Sequence, residues 1–187
     1  MEALAKVPES LKFTYEDYLL LPEDKHYEII EGDLYMVPSP KTSHQMVLGN
    51  LYIILRSFVD QERLGKVLTA PYDVVLSKHD VVQPDILFVS TERSQIITDT
   101  NLQGVPDLIV EITSPGTEER DREVKKKLYA RFGVKEYWVI DPDGKNLDVY
   151  FVGQEGYELK GSYSERDSIE SKVLEGLVVK GEKVFSL

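Results

Sequence analysis

The stretch DLIVEITSPGTEERDREVKKKLYARFGVKEYWVID, residues 107–141, reads as strand, helix, strand. Leu108, Ile109, Val110 and Ile112 form an apolar run of strand length, and apolar flanks on both sides of Glu111 suggest a central strand buried on two faces. From Glu118 to Phe132 the residues predict a helix with Val124, Leu128 and Phe132 on one apolar face, stopped by Gly133. Glu136 to Ile140 returns as a strand, Asp141-Pro142-Asp143-Gly144 turns, and Leu147 to Val152 pairs back. One residue breaks this pattern: Glu111 is an acid inside an apolar strand, which is costly to bury unless paired or bound to a cation.

Upstream the same signature recurs at Asp85, in Val-Val-Gln-Pro-Asp-Ile-Leu-Phe-Val, the start of a predicted strand reaching Val89. Before it, Thr14 caps a short helix through Leu20 that stops before Pro22. Tyr27–Ile30 and Leu34–Val37 form a hairpin around Glu31-Gly32-Asp33, with Gly32 free to take a positive φ. Thr42 or Ser43 begins a long core helix with Val47, Leu48, Leu51, Ile54, Leu55, Phe58 and Val59 at helical spacing. Strands follow at Lys66–Thr69 and Tyr72–Leu76, with Pro71 and Pro84 at strand starts or edges. Past Gly153 the pattern is short strands and turns. The order predicts a mixed α/β (α+β) fold, one sheet covered by at least two helices, and 187 residues suit a single domain over 1–187.

Composition narrows the class. Values of 42% hydrophobic and 29% charged residues are those of a soluble globular chain rather than a disordered one. The absence of cysteine excludes disulfides, thiolate metal sites and a cysteine nucleophile, and fits a cytoplasmic protein. No apolar run approaches the roughly 20 residues of a membrane span. A net charge of −11 argues against coating nucleic acid non-specifically. Because surface charge is screened beyond about 8 Å, a local basic patch or a bound divalent cation can outweigh that sign.

Two strand carboxylates with open oxygen positions suit a hard cation such as Mg²⁺, which prefers oxygen ligands and keeps several waters. A nearby lysine would stabilise developing charge. Asp121, Lys125 and Tyr129 stand at i, i+4 and i+8 and share a face beside the apolar one. Plainer roles stand next to these: an exposed Asp121–Lys125 pair worth about 0.3–0.5 kcal/mol, or Asp121 as a helix-start acid favoured by the macrodipole. His44, near the start of the long helix, is a general base, a substrate contact or a structural residue. His26 and His79 lack zinc-ligand spacing. Tyr129, Tyr137 and Trp138 read as packing, and no Gly-x-x-x-x-Gly-Lys phosphate loop occurs.

Taken in order, Pro84-Asp85, Glu111 in Val-Glu-Ile-Thr-Ser-Pro-Gly-Thr, Asp121, Lys125, Tyr129, Gly133-Val134, Glu136-Tyr137-Trp138 and Asp141-Pro142 resemble the Uma-type branch of the PD-(D/E)XK restriction-endonuclease-like superfamily. Tyr27-Glu28-Ile29-Ile30-Glu31-Gly32 and Ser43-His44-Gln45 extend the resemblance, which runs from about Thr14 to Val152. It implies a restriction-endonuclease-like core with a mixed central sheet, Asp85 and Glu111 as Mg²⁺ (or Mn²⁺) ligands, the Ile112 carbonyl as a third ligand, and Glu31 as an additional acid, ahead of Glu28. The superfamily's usual lysine lies two residues after the second acid, where Thr113 stands here, so Lys125 on the next helix takes that role ahead of Lys126 and Lys127. The implied activity is Mg²⁺-dependent endonucleolytic hydrolysis of DNA by a catalytic set of Glu31, Asp85, Glu111 and Lys125. A homodimer follows by analogy with nucleases that cut both strands. Two rivals use the same residues: a non-catalytic binding or regulatory module on a nuclease fold, and a metal-free acid–base hydrolase.

Overall fold

In chain order the computed structural model, which describes residues 12–22 and 25–186, runs α1 (Tyr15–Tyr18), β1 (His26–Ile30), β2 (Asp33–Val37), α2 (Thr42–Glu62), β3 (Gly65–Thr69), β4 (Val74–Ser77), β5 (Asp80–Val82), β6 (Ile86–Ser90), a 3₁₀ turn (Thr91–Ile96), β7 (Leu102–Gln103) and β8 (Leu108–Ile112). It continues through a π-helical stretch (Arg120–Lys125) into α3 (Lys126–Phe132), then β9 (Glu136–Asp141), β10 (Asn146–Val152), β11 (Tyr157–Ser164), β12 (Ser168–Glu170), β13 (Val178–Lys180) and α4 (Gly181–Val184). Thr14 caps α1 through a reciprocal pair of bonds with Asp17. Glu31 and Gly32 both take positive φ, 52° and 79°, which makes the β1–β2 connection a two-residue turn.

Six strands form the central sheet in the order β11-β10-β9-β8-β6-β3. β8 and β9 pair in parallel and are joined by the 118–132 helix, while the remaining neighbours are antiparallel. Period-two alternation gives this sheet two different coats. Ile86, Phe88, Leu108, Val110, Trp138 and Ile140 face the fully buried stripe Val47, Leu51, Leu55 and Val59 of α2. Leu87, Val89, Ile109, Tyr137 and Val139 face the other way, against Leu128 and Tyr129 of α3 and Ile30, Val74, Val82 and Leu102. Those last four belong to a second, five-stranded sheet ordered β2-β1-β5-β4-β7. The expected mixed α/β fold, a mixed central sheet with helices on its faces, is present; the expectation of a single sheet is corrected, since a smaller sheet shares one face with α3. β5 and β7 are only three and two residues long, too short to show alternation in the sequence.

The helix over 118–132 forms, and Leu128 and Phe132 of its predicted apolar face pack inward, but the buried face is turned toward Asp121, Lys125 and Tyr129 so that Val124 falls at its edge. Val124 is 37% exposed, whereas Asp121 and Lys125 are 2% and 3% exposed. A π-helical stretch over 120–125 accompanies this rotation, and such turns often mark functional sites. Gly133, at φ 78°, closes the helix in the left-handed region as expected.

The end of the chain is tied to the central sheet by a fully buried carboxylate. Glu136 accepts bonds from Trp138 Nε1 (2.7 Å), Ser171 Oγ (2.9 Å), Lys172 N (2.9 Å) and Val173 N (2.8 Å). Behind this clamp Ile169, Leu174, Leu177, Val179, Val184 and Phe185 complete the α2-side core. Among the described residues no helix is long and apolar enough to cross a membrane.

Candidate active site

Register brings the two acids together. β6 pairs antiparallel with β8 through Ile86↔Val110, so Asp85, one residue before Ile86, meets Glu111, one residue after Val110. Alternation puts Glu111 on the face of Ile109, toward α3 and the second sheet. From that sheet β1 contributes Glu28 on the same side as Ile30, and the rotated helix contributes Asp121, Lys125 and Tyr129. Lys125 Nζ lies 2.7 Å from Glu28 Oε1, 3.0 Å from Glu111 Oε1 and 3.6 Å from Asp121 Oδ1. Tyr129 donates its hydroxyl to the same Glu111 Oε1 at 2.6 Å. Asp85 Oδ2 accepts from the Ile112 amide at 2.7 Å, and its Oδ1 lies 3.1 Å from His44 Nε2 at the start of α2. Backbone N–H and C=O of one strand residue point to the same side, so the Ile112 carbonyl also faces the Asp85 edge.

The cluster carries more negative charge than it can neutralise. Three carboxylates, Glu28, Glu111 and Asp121, share Lys125, and Asp85 stands beside them against His44 and the Ile112 amide, while Arg120 reaches no closer than 3.8 Å, to Glu28 Oε2. Burial pushes the Glu111 carboxyl well up despite Lys125, with Asp121, Asp85 and Glu28 adding to the rise. Burial likewise raises Asp121. Lys125 loses charge stability to burial but gains more from Glu111, Glu28 and Asp121, so its pKa also rises and it stays protonated. Asp107, just before the other end of β8, is an internal control. Its surface is just as covered, but it lies at a shallower depth, and bonds from Lys135, the Ser90 amide and Arg93 overcome desolvation and hold its carboxyl low. Glu28 Oε2 and Asp121 Oδ1 are buried without a hydrogen-bond partner among the described residues.

Those orphaned oxygens test the fit of a metal. An all-oxygen donor set with unbalanced negative charge matches a hard divalent cation. Among the described residues no three histidine, cysteine, aspartate or glutamate side chains stand as a ready-made ligand set. Two carboxylates, one carbonyl and waters do not require a third such side chain.

Asp85, Glu111, Ile112 and Lys125 all line one cavity of about 370 Å³. Of the three consecutive lysines only Lys125 enters it: Lys126 lies over the Tyr150 ring at 4.7 Å, and the Lys127 side chain is 80% exposed. Glu31 is the exception among the expected residues. It sits exposed on the β1–β2 turn and pairs with Arg131; three residues from Glu28, it falls on the opposite side by strand alternation, and its positive φ places it in the turn. Thr113 is buried with its hydroxyl donated to the Ile140 carbonyl, so that position sends nothing into the cavity. Asp121 is not a solvated helix-start acid but part of the buried cluster. Arg120 went unnoticed in the sequence. Glu28, ranked behind Glu31, carried the same signal as Glu111, an acid inside an apolar strand.

Comparison with known proteins agrees with this architecture. An uncharacterized protein of Synechocystis sp. is 25% identical over 168 residues, covering 86% of this chain and 85% of its own. The crystal structure of a putative nuclease belonging to DUF820 from Anabaena variabilis superposes with a TM-score of 0.77 at 21% identity, covering 92% of this chain and 97% of that one, and shares the fold. The family model described as a putative restriction endonuclease, Uma2, matches residues 15–181. This chain belongs to the Uma2 family.

Proposed function

We propose that this chain hydrolyses phosphodiester bonds of nucleic acid, DNA in the first instance, with a divalent cation, Mg²⁺ or Mn²⁺, held by Asp85, Glu111 and the Ile112 carbonyl. The observation that carries this reading is the surplus of buried carboxylate around Lys125, at the place where β6 begins and β8 ends. Membership of a putative endonuclease family supports it. When bound, such a cation polarises a phosphate and lowers the pKa of a water. Tyr129 and Lys125 both engage Glu111 Oε1, which fixes the carboxylate and leaves Oε2 without a donor among the described residues. The Ile112 amide orients Asp85 in the same way. Lys125 stays charged and places a desolvated ammonium where negative charge would build on the phosphate. Glu28 takes the place expected for Glu31.

The test is cleavage by purified protein of labelled nucleic acid in Mg²⁺ or Mn²⁺. Activity should stop in EDTA and in an Asp85→Asn, Glu111→Gln double variant; undiminished cleavage by that variant sinks the proposal. A second reading, a non-catalytic nuclease-fold module, draws on one observation: Lys125 already neutralises part of the cluster. Calorimetry showing no Mn²⁺ binding at millimolar concentration would favour it.

A further inference from the structure

The cavity holds one cation that the proposed chemistry leaves unused. Arg120 lines it, with its side chain 13% exposed. Its Nε is buried without a hydrogen-bond partner among the described residues, and its guanidinium lies over the Tyr35 ring at 5.3 Å from the centroid. The nearest carboxylate, Glu28 Oε2, is 3.8 Å from Nη2, beyond hydrogen-bond range, and is itself unpartnered. Such a guanidinium, braced on an aromatic face with Nε unpartnered and only a long ion pair to Glu28, is built to accept an anion, and a phosphate offers it paired oxygens.

The shape of the cavity limits what carries that phosphate. Glu111, Asp121 and Lys125 are 3%, 2% and 3% exposed, so a reacting phosphate has to enter to reach them. One wall is Val37-Pro38-Ser39-Pro40 and the other includes Ser114, Thr117 and Arg120. The two walls close on each other: a Cβ added at Gly116 would stand 4.0 Å from Pro38 Cγ. A volume of about 370 Å³ lies at the small-ligand end of binding cavities, roughly 300–1,000 Å³. Duplex DNA presents one charge per ~1.7 Å and is held by several basic contacts at once. Here the Val37–Pro40 wall carries no charge, and the permanent cations of the lining are Lys125, committed to carboxylates, and Arg120. A single strand can bend to bring one phosphate into such a recess, whereas a duplex is stiff and resists the deformation needed to follow it in.

We propose that the cavity admits one phosphodiester of a single nucleic-acid strand, its phosphate held by Arg120, in preference to an intact duplex. This rests on the hydrolytic reading above. DNA and RNA share that chemistry, so one sequence is supplied to the full chain in Mg²⁺ as single-stranded DNA, single-stranded RNA and the duplex of each. At least one strand should be cut about tenfold or more faster than its own duplex. Arg120→Gln should raise KM for that strand about tenfold or more while kcat changes little, with Arg120→Lys restoring part, a split that a merely structural role would not give. Fluorescence anisotropy with the Glu111→Gln chain reads binding apart from cleavage and should rank strand above duplex. A duplex cut as fast as its strand overturns the strand proposal and leaves the hydrolytic reading standing. No cleavage of any form overturns the hydrolytic reading, and anisotropy then decides the strand proposal alone: equal binding of strand and duplex, or an Arg120→Gln effect of nil, refutes it.

Discussion

Lys125 Nζ serves three buried carboxylates, and two kinds of measurement follow from that, on its substitution and on pH. Lys125→Met should lower kcat by about 100-fold or more, while Lys126→Met and Lys127→Met stay within about twofold, as for surface changes. The same Lys125→Met change leaves Glu28, Glu111 and Asp121 without their shared cation and should cost about 3–5 kcal/mol in urea unfolding. The second measurement is pH. Glu111 and Asp121 sit above their ordinary values of 4.5 and 3.8. A raised acid binds its proton more tightly when folded, so its contribution is present below the unfolded value and is lost as pH rises through the folded one. Lys125, also raised, keeps its contribution across this range. Without divalent cation, stability should fall as pH rises above the ordinary carboxylate values, and Glu111→Gln should flatten that fall; a variant slope as steep as the parent's would count against the coupling. At this scale Asp85 and Glu111 were legible because each interrupts an apolar strand. Glu31 drew attention away from Glu28, although the two are three residues apart and alternation puts them on opposite sides; which side faces the cluster is what the sequence leaves open.

Among the elements, the 118–132 helix is the most telling. Its apolar spacing identified a helix, its stop and, in Leu128 and Phe132, part of its buried side, but not that Val124 would give way to Asp121 and Lys125. Three carboxylates drawing Lys125 inward, with Tyr129 donating to Glu111, outweigh the burial of Val124, a side chain worth about 1.5–3 kcal/mol at most. Gly133, by contrast, is a purely local matter. A Cβ there meets nothing within 4 Å, so Gly133→Ala carries only the left-handed backbone penalty, about 1–2 kcal/mol in chemical denaturation. β5 and β7 escaped notice because a strand of two or three residues has no period to detect, and with them went the second sheet that delivers Glu28.

For the whole molecule, Glu136 is the fastener between the central sheet and the last seventeen residues. Glu136→Ala leaves four donors without an acceptor in a site with no exposure, so limited proteolysis should cut first near Ser171–Glu175 and stability should fall by about 3 kcal/mol or more. Cleavage elsewhere at an unchanged rate would show that the C-terminal segment holds without the clamp. The homodimer expectation belongs to cutting both strands of a duplex; a site that takes one strand does not need a paired copy.

The sequence by itself determined the types of the long elements, the two strand acids, the helix bearing Lys125 and the family resemblance, since each is written in short-range periodicity, turn chemistry or residue order. Only the tertiary structure decided that Glu28 rather than Glu31 joins the cluster, and that His44 and Arg120 meet the same cavity. Glu28, His44, Asp85, Glu111 and Arg120 come from four separate regions of the chain. Their meeting depends on sheet order and on the face a helix turns inward, and those are settled by the summed burial and charge of the folded whole.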